Sequence, residues 1–131
     1  MRSSVAVVAA VTAVLIGCGG GQDYDSPRAL ADALAEAGIV CDEFQEAPSV
    51  TGSEATASCF TSDGRDIGLQ VHEEAEQAST MVASADLILE GTNRRAVVHD
   101  GAWIVYVDDD RTAREVRDAL GGEITQAAKG G

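Results

Sequence analysis

Residues 54–72 read EATASCFTSDGRDIGLQVH, and this stretch sets the architecture of the chain. Two runs that alternate apolar with polar or small residues, Glu54 to Thr61 and Asp66 to His72, flank the dipeptide Asp63-Gly64. Alternation with a period of two is typical of a strand with one buried face, and Asp-Gly between two such runs is a strong hairpin signal. We therefore predict an antiparallel hairpin. Its inward positions are Ala55, Ala57 and Cys59 in the first strand and Ile67, Leu69 and Val71 in the second.

The length of the loop determines which residues of this hairpin face each other. A two-residue loop of Asp63-Gly64 would place polar residues of the first strand beside apolar residues of the second. A three-residue loop, with Gly64 in the left-handed conformation, pairs Cys59 with Ile67 and keeps the two alternations in step. Because directly paired residues share one face of a sheet, we predict the three-residue loop. The opposite face then carries Phe60, Gln70 and His72.

Three helices are predicted around the strands, each with small and aliphatic residues repeating on one face. Ser26 is a good N-cap for the first helix, Pro27 suits its first turn, and Gly38 tolerates the positive φ that ends a helix. Glutamates at the start of the second helix lie where the helix dipole favours them. The helices are expected over Ser26 to Gly38, Glu73 to Leu87, and from Asp109 or Asp110 to Gly121.

A second hairpin is predicted from strands Ala96 to His99 and Ala102 to Val107, joined at Asp100-Gly101. The elements then follow the order α-β-β-α-β-β-α. The simplest fold is a single small α+β domain over residues 26–122, with a four-stranded, mainly antiparallel sheet and helices on one face. The stretches expected to lack regular structure are the loop from Asp42 to Gly52 and the flexible tail from Glu123 to Gly131.

The N-terminus has the pattern of an export signal. Arg2 supplies a positive charge, and an apolar stretch follows from Val5 to Ile16. This stretch is shorter than the roughly 20 residues that a transmembrane helix needs. We predict that residues 1–17 are a signal peptide and that residues 18–25, rich in glycine and polar residues, form a flexible tether.

The segment Leu15-Ile16-Gly17-Cys18 resembles the lipobox of bacterial lipoproteins, with an aliphatic residue three positions before the cysteine and a small residue directly before it. The resemblance implies that Cys18 carries a diacylglycerol group and becomes the new N-terminus, which anchors the protein on the outer face of the cytoplasmic membrane. The helix ending in Gly38 and Cys41, with a second cysteine in the first strand, also resembles small lipoproteins of high-GC Gram-positive bacteria. That likeness implies no active-site residues.

Three cysteines are present, and setting Cys18 aside leaves the pair Cys41 and Cys59. In an oxidising compartment such a pair is most simply a disulfide, which would stabilise the fold by roughly 3 kcal/mol in the chain-entropy model. The alternative is a metal site that adds His72 and His99 to the two cysteines. Neither cysteine belongs to a CxxC motif, and neither histidine has a second ligand at a fixed spacing, so we predict no metal site.

The charge of the chain limits its partners. The formal net charge is −13 at pH 7, which repels nucleic acid and anionic lipid, so membrane contact would depend on the lipid anchor. High net charge also keeps a small secreted protein soluble, and the sequence does not separate this role from a role in binding.

Few patterns in the chain suggest catalysis. Ser, His and Asp are present without the G-x-S-x-G motif of a nucleophile elbow, and no glycine-rich phosphate loop appears outside the tether. Asp108-Asp109-Asp110 offers oxygen ligands for calcium but lacks the spacing of an EF-hand, and its position favours capping of the last helix. We predict a non-enzymatic protein without a cofactor.

The strand from Ala102 to Val107 is apolar on both sides, so both of its faces need a cover. Either it is a central strand with structure on each side, or part of one face binds a partner. In the second case the surface would comprise Phe60, Ile104 and Tyr106, and the partner would be an envelope protein or a second copy. The sequence leaves the oligomeric state open. The expected function is a binding module for a protein or a small ligand; the alternatives are a cell-wall enzyme, an enzyme inhibitor or an acidic spacer.

Overall fold

A computed structural model of the protein describes residues 23–49, 54–85, 89 and 94–126. The predicted signal peptide and the lipidation site at Cys18 lie outside these residues. The helices are α1 (Pro27–Glu36), α2 (Ala75–Ala83) and α3 (Asp110–Leu120). The strands are β1 (Cys41–Ala47), β2 (Glu54–Thr61), β3 (Asp66–His72), β4 (Ala96–Asp100), β5 (Trp103–Val107) and β6 (Glu123–Gln126).

The predicted register of the first hairpin is confirmed. Cys59 pairs with Ile67, and the other inward positions of β2 and β3 pair in step with them. Gly64 has a φ of 87°, which a glycine adopts without strain, and its N–H donates to the Thr61 carbonyl over 3.0 Å. The alternation of side chains and the Asp-Gly dipeptide were therefore sufficient to determine this register.

The prediction of four strands is wrong, because the described residues form a sheet of six strands. Its order is β1-β2-β3-β5-β4-β6, and all neighbours pair antiparallel. The two additional strands are the edges: β1 lies in the stretch predicted as a loop, and β6 lies in the predicted tail. An edge strand gains backbone hydrogen bonds on one side and buries little apolar surface. Neither segment therefore shows the alternation that marks an inner strand.

The helices begin largely where their capping residues indicate. The Ser26 hydroxyl accepts a hydrogen bond from the Ala29 N–H over 3.1 Å, and Asp109 accepts one from the Thr112 N–H over 2.7 Å. Helix α2 begins after Glu74 with a reciprocal capping box to Gln77, two residues later than predicted. Ala85 and Leu89 are also helical, whereas the predicted end at Leu87 lies outside the described residues.

The prediction that all helices pack on one face is also wrong. We call the side of the sheet that bears Cys59 and Trp103 the disulfide face, and the side that bears Phe60 and Ile104 the Phe60 face. Helices α1 and α3 pack on the disulfide face, and α2 packs on the Phe60 face. Because β5 is apolar on both sides and lies inside the sheet, it requires a cover on each face. The larger core contains Leu30, Leu34, Ile67, Leu69, Trp103, Val105, Val116 and Leu120; the smaller contains Ala78, Ala85, Leu89, Val97 and Ile104.

The disulfide between Cys41 and Cys59 is confirmed, with a Cα–Cα distance of 5.4 Å. It joins the start of β1 to β2 beside a register shift between Cys41 and Glu43. Since both sulfur atoms are bonded to each other, the alternative metal site with His72 and His99 is not formed. The bond attaches the outermost strand to the core.

The folded domain begins before Ser26. The ring of Tyr24 lies edge-on to the buried indole of Trp103, with centroids 5.9 Å apart. The Asp23 carboxylate lies so close to Gly101 that a Cβ there would be 3.3 Å from its Oδ1. Residues 23 and 24 were predicted to belong to the tether, but Asp23 contacts the β4–β5 turn and Tyr24 contacts β5.

Candidate functional site

The three residues predicted to form a partner surface share the Phe60 face but differ in exposure. Phe60 is 46% exposed, whereas Ile104 is 1% exposed and packs in the core beneath α2. Tyr106 is partly buried, and its hydroxyl donates to Gln70 Oε1 over 3.2 Å. The structure thus brings the three side chains to one face, where Phe60 is the exposed member.

Phe60 lies on β2, one strand beyond the three strands that α2 packs against, which are β3, β5 and β4. Its direct neighbour on β1 is Glu43, and its direct neighbour on β3 is Asp66. Directly paired side chains in an antiparallel sheet have Cβ atoms roughly 5 Å apart, so a carboxylate group flanks the ring on each side. Gln45 and Ser58 continue the same face with polar groups, and Glu43 and Gln45 are exposed.

The side chain of Arg94 lies at the boundary between this open region and α2, where two aspartates hold it. Arg94 Nη2 donates to Asp66 Oδ1 over 3.0 Å, and its Nε lies 3.9 Å from Asp108 Oδ1. The guanidinium lies directly on Gly68: a Cβ at that position would clash with Arg94 Nη1. Gly68 therefore leaves the space in which an arginine can lie flat on the sheet.

A chain of buried polar groups runs along the Phe60 face beside the core. His72 Nε2 lies 3.0 Å from Gln70 Oε1, the same oxygen that accepts from Tyr106. Because a carbonyl oxygen only accepts, His72 Nε2 carries the proton in this arrangement. His72 Nδ1 is buried and has no partner among the described residues. The row of polar groups thus ends at His72 Nδ1, whose lone pair accepts no hydrogen bond from the described residues.

Burial controls the protonation states of these polar side chains. It lowers the pKa of His72, and the Glu54 carboxylate opposes that shift. It also raises the pKa of Tyr106, with Arg94 acting in the opposite direction. Glu54 is itself buried and accepts a hydrogen bond from the Ser49 hydroxyl over 3.2 Å. At neutral pH the imidazole of His72 and the phenol of Tyr106 are therefore both uncharged.

A second candidate site is an open cavity of about 320 Å³ between α2, the β4–β5 turn and β6. His99 Nε2 lies 3.0 Å from Thr125 Oγ1, and burial lowers the pKa of this histidine, while Glu123 and Asp100 oppose the shift. No carboxylate among the described residues hydrogen-bonds the imidazole, so a catalytic triad is not assembled. The volume lies at the lower end of the range for small-molecule sites. The lining residues are Ala75, Ala78, Ser79, Val82, His99, Asp100, Gly101 and Glu123.

The three consecutive aspartates do not converge on a shared ion. Asp108 lies near Arg94, Asp109 caps α3, and Asp110 accepts from the Gln126 amide over 2.8 Å. Within the described ranges, no group of three or more His, Cys, Asp or Glu residues is placed to hold a metal ion. The capping interpretation of this run is the one that its geometry supports.

Comparison with known proteins returns no relatives: no protein-family model, no curated protein and no solved structure matches the chain. Among the residues with described positions, no helix is long and apolar enough to cross a membrane.

Sequence reasoning missed the position of Arg94. Gly68 carried a usable signal, because an isolated glycine inside an apolar strand often marks a close approach by another group. The pattern could not indicate which group approaches. Arg94 is 26 residues from Gly68 in the sequence, so tertiary packing determines this approach.

Proposed function

We propose that the protein is a lipid-anchored, extracytoplasmic lipoprotein whose folded domain is a non-enzymatic binding module of the cell envelope. The observation that carries the binding role is the exposed ring of Phe60 on a sheet face that α2 covers only in part. Large aromatic side chains at the centre of an open, polar-rimmed surface are typical of protein interfaces.

The cysteine arrangement supports the anchor. Two of the three cysteines form the disulfide, which leaves Cys18 in the segment Leu15-Ile16-Gly17-Cys18 as the remaining thiol. Two acyl chains would provide stable membrane attachment, whereas one chain gives only reversible binding.

The start of the fold indicates how close to the membrane the domain would be held. Cys18 is five residues from Asp23, and an extended chain spans at most about 17 Å over that length. Since Asp23 contacts the β4–β5 turn, a lipid on Cys18 would hold this end of the domain near the bilayer. Phe60 lies on a different pair of strands, toward the opposite edge of the sheet.

The cavity beside His99 supports a second candidate function within the same class, the binding of a small ligand. Its wall combines apolar side chains of α2 with Asp100 and Glu123, a combination that suits a small cationic molecule. Addition of such a ligand should shift the NMR signals of His99 and leave those of Phe60 unchanged.

The anchor is tested by comparing Cys18→Ala with the unmodified chain in bacteria grown with a clickable fatty acid. We expect the unmodified chain to acquire the label and to sediment with membranes, and Cys18→Ala to lose the label and the membrane attachment. The matched control is the double variant Cys41→Ala/Cys59→Ala, which should keep the label. Label on Cys18→Ala, or an unlabelled wild-type chain, would contradict the proposed anchor.

A further inference from the structure

We propose that the surface around Phe60 docks a basic segment of a partner protein, with a lysine or arginine side chain against the Phe60 ring between Glu43 and Asp66. This inference deepens the proposed binding function and rests on it. The surface consists of Glu43, Gln45, Ser58, Phe60 and Asp66, and we call it the Phe60 surface.

The strand register supplies the geometry. Glu43, Phe60 and Asp66 lie side by side on three adjacent strands, each one strand spacing of roughly 4.8 Å from the next. A cation above an aromatic ring is attracted by the electrons of its face. Carboxylates on both sides of the same ring would add charge-assisted hydrogen bonds to that cation. The row therefore combines two ways of recognising one cationic side chain.

The chain contains an internal example of the first interaction. It has two phenylalanines, and Phe44 is already occupied: the guanidinium carbon of Arg28 lies 3.9 Å from its ring centroid. Phe44 is on the disulfide face of β1, where α1 supplies this arginine. Phe60 has no ring contact of this kind among the described residues and is 46% exposed. A partner would supply for Phe60 the cation that α1 supplies for Phe44.

The local charges favour the same partner. Glu43 is exposed and has no salt bridge within the described part of the chain. Asp66 shares Arg94 with Asp108, so two carboxylates are balanced by one guanidinium. The nearby cation Arg65 is engaged by Asp63 and Glu115. The surface is therefore net negative, in a chain whose formal charge is −13.

These charges argue against two other occupants. Anionic phospholipid headgroups would be repelled by the same carboxylates. A second copy paired through the edge strand β1 would bring Asp42, Glu43 and Glu46 of both copies together, and like charges across paired strands are destabilising. The cationic segment is the occupant whose charge is complementary.

The test uses the full-length lipidated protein in detergent micelles and a fluorescent heptapeptide that alternates arginine and serine. The reference peptide has citrulline in place of each arginine, which keeps the shape and removes the charge. Fluorescence anisotropy measures the dissociation constant of each peptide. We expect measurable binding of the arginine peptide and at least tenfold weaker binding of the citrulline peptide.

Three variants locate the binding site. Phe60→Leu removes the ring and keeps an apolar side chain, and Glu43→Gln removes one flanking charge; we expect each to weaken binding about fivefold. Glu46→Gln is the matched control, because Glu46 is also an exposed glutamate of β1 but lies on the opposite face, paired with Ala57. This control should weaken binding less than twofold. Thermal melting of each variant verifies that it is folded.

Several outcomes would overturn the inference. Equal losses in Glu43→Gln and Glu46→Gln, or an unchanged affinity in Phe60→Leu, would mean that the peptide responds only to the overall charge. Loss of self-association or of binding to anionic vesicles in Phe60→Leu, without an effect on the peptide, would assign the surface to another occupant. If Cys18 acquires the lipid while the peptide fails to bind, this inference falls and the anchor stands. If Cys18 stays unlabelled while the arginine peptide binds selectively, the proposed anchor falls and this inference stands.

Discussion

His72 shows how the environment of one residue can control stability. The sequence placed it on the outward face of β3, where a histidine would be solvated, yet α2 covers that part of the face and His72 is buried. Burial disfavours the charged form of an imidazole, and the Glu54 carboxylate on the neighbouring strand offsets this effect only in part. Gln70 fixes the tautomer of the neutral imidazole, because its Oε1 accepts a hydrogen bond from the Nε2–H.

This burial predicts a loss of stability on mild acidification. The pKa of His72 is lowered from 6.5 in the folded chain, so below about pH 6.5 the unfolded chain binds a proton that the folded chain does not. The free energy of unfolding should therefore fall between about pH 7 and pH 5. The pKa of His99 is lowered by the same cause.

Urea unfolding at several pH values measures this effect. His72→Gln should flatten the fall between pH 7 and pH 5, and the double variant with His99→Gln should flatten it further. The carboxyl pKa values of Asp63 and Asp109 are also lowered, and their effect on the free energy of unfolding falls in a separate window below about pH 4. The histidine substitutions should leave the pH dependence in that window unchanged. An unchanged slope in the double variant would refute the assignment.

Gly68 is the residue on which the position of Arg94 depends. Gly68→Ala introduces a methyl group where Arg94 Nη1 lies, and the flexible end of the arginine side chain can move away. We expect only about 1 kcal/mol of destabilisation, together with loss of the Arg94–Asp66 ion pair. NMR of the Arg94 Nε–H signal monitors this displacement. An unshifted signal in a folded Gly68→Ala protein would contradict the close approach.

At the scale of elements, the edge strands show the limits of periodicity. Only Cys41 and Phe44 of β1 are partly buried, and the other five residues are exposed. Strand β6 is four residues long and follows two glycines of positive φ, Gly121 and Gly122. A Cβ at Gly122 would lie 2.5 Å from the His99 carbonyl oxygen, so the sharp entry into β6 requires glycine. Backbone pairing, rather than side-chain burial, defines both edges.

The disulfide should matter most for β1. Cys41→Ala/Cys59→Ala releases the edge strand from β2, and we expect a loss of about 3 kcal/mol in the free energy of unfolding, since the bond closes a loop with a sequence separation of 18. Hydrogen exchange should show that amide protection in β1 falls before that in β3. Reductant should lower the melting temperature of the unmodified protein and leave the double variant unchanged. A reduced protein that melts at the original temperature would argue against a stabilising role.

At the scale of the whole molecule, the sheet lies between two helical layers of unequal size. Helices α1 and α3 cover the disulfide face, whereas the described cover of the Phe60 face is α2 together with Ala85 and Leu89. This imbalance leaves the β1–β2 end of the Phe60 face open. On the disulfide face, the segment before α1 adds to the cover, because Tyr24 packs against Trp103 there.

Tyr24→Ala tests whether that segment belongs to the folded unit. We expect a loss of about 1–2 kcal/mol, because an aromatic contact with a buried indole is removed. Trp103 is the single tryptophan, so its emission should shift to longer wavelength as water reaches the indole. Tyr24→Phe keeps the ring and should preserve the emission maximum. An unchanged emission spectrum and an unchanged stability in Tyr24→Ala would mean that residue 24 belongs to the tether and not to the folded unit.

The candidate surface was only partly accessible to prediction. Phe60 was assigned to the outward face because its neighbours in β2 alternate, and the structure exposes it. Ile104 and Tyr106 were grouped with it correctly by face, but their exposure depended on where α2 packs. No local pattern specifies which face of a sheet a helix covers, because that choice depends on the apolar area available on both sides.

The sequence by itself determined the features that arise from local chemistry: the hairpin register around Gly64, the caps at Ser26 and Asp109, and the pairing of Cys41 with Cys59. The register and the caps depend on side chains close in sequence or on the alternation of an inner strand, whereas the disulfide was predicted from the number of cysteines. Tertiary structure alone decided the edge strands, the two-sided packing of helices and the placement of Arg94 on Gly68. These arise because separate segments compete for the same apolar surface and the same unpaired backbone groups, and that competition is resolved only when the whole chain packs.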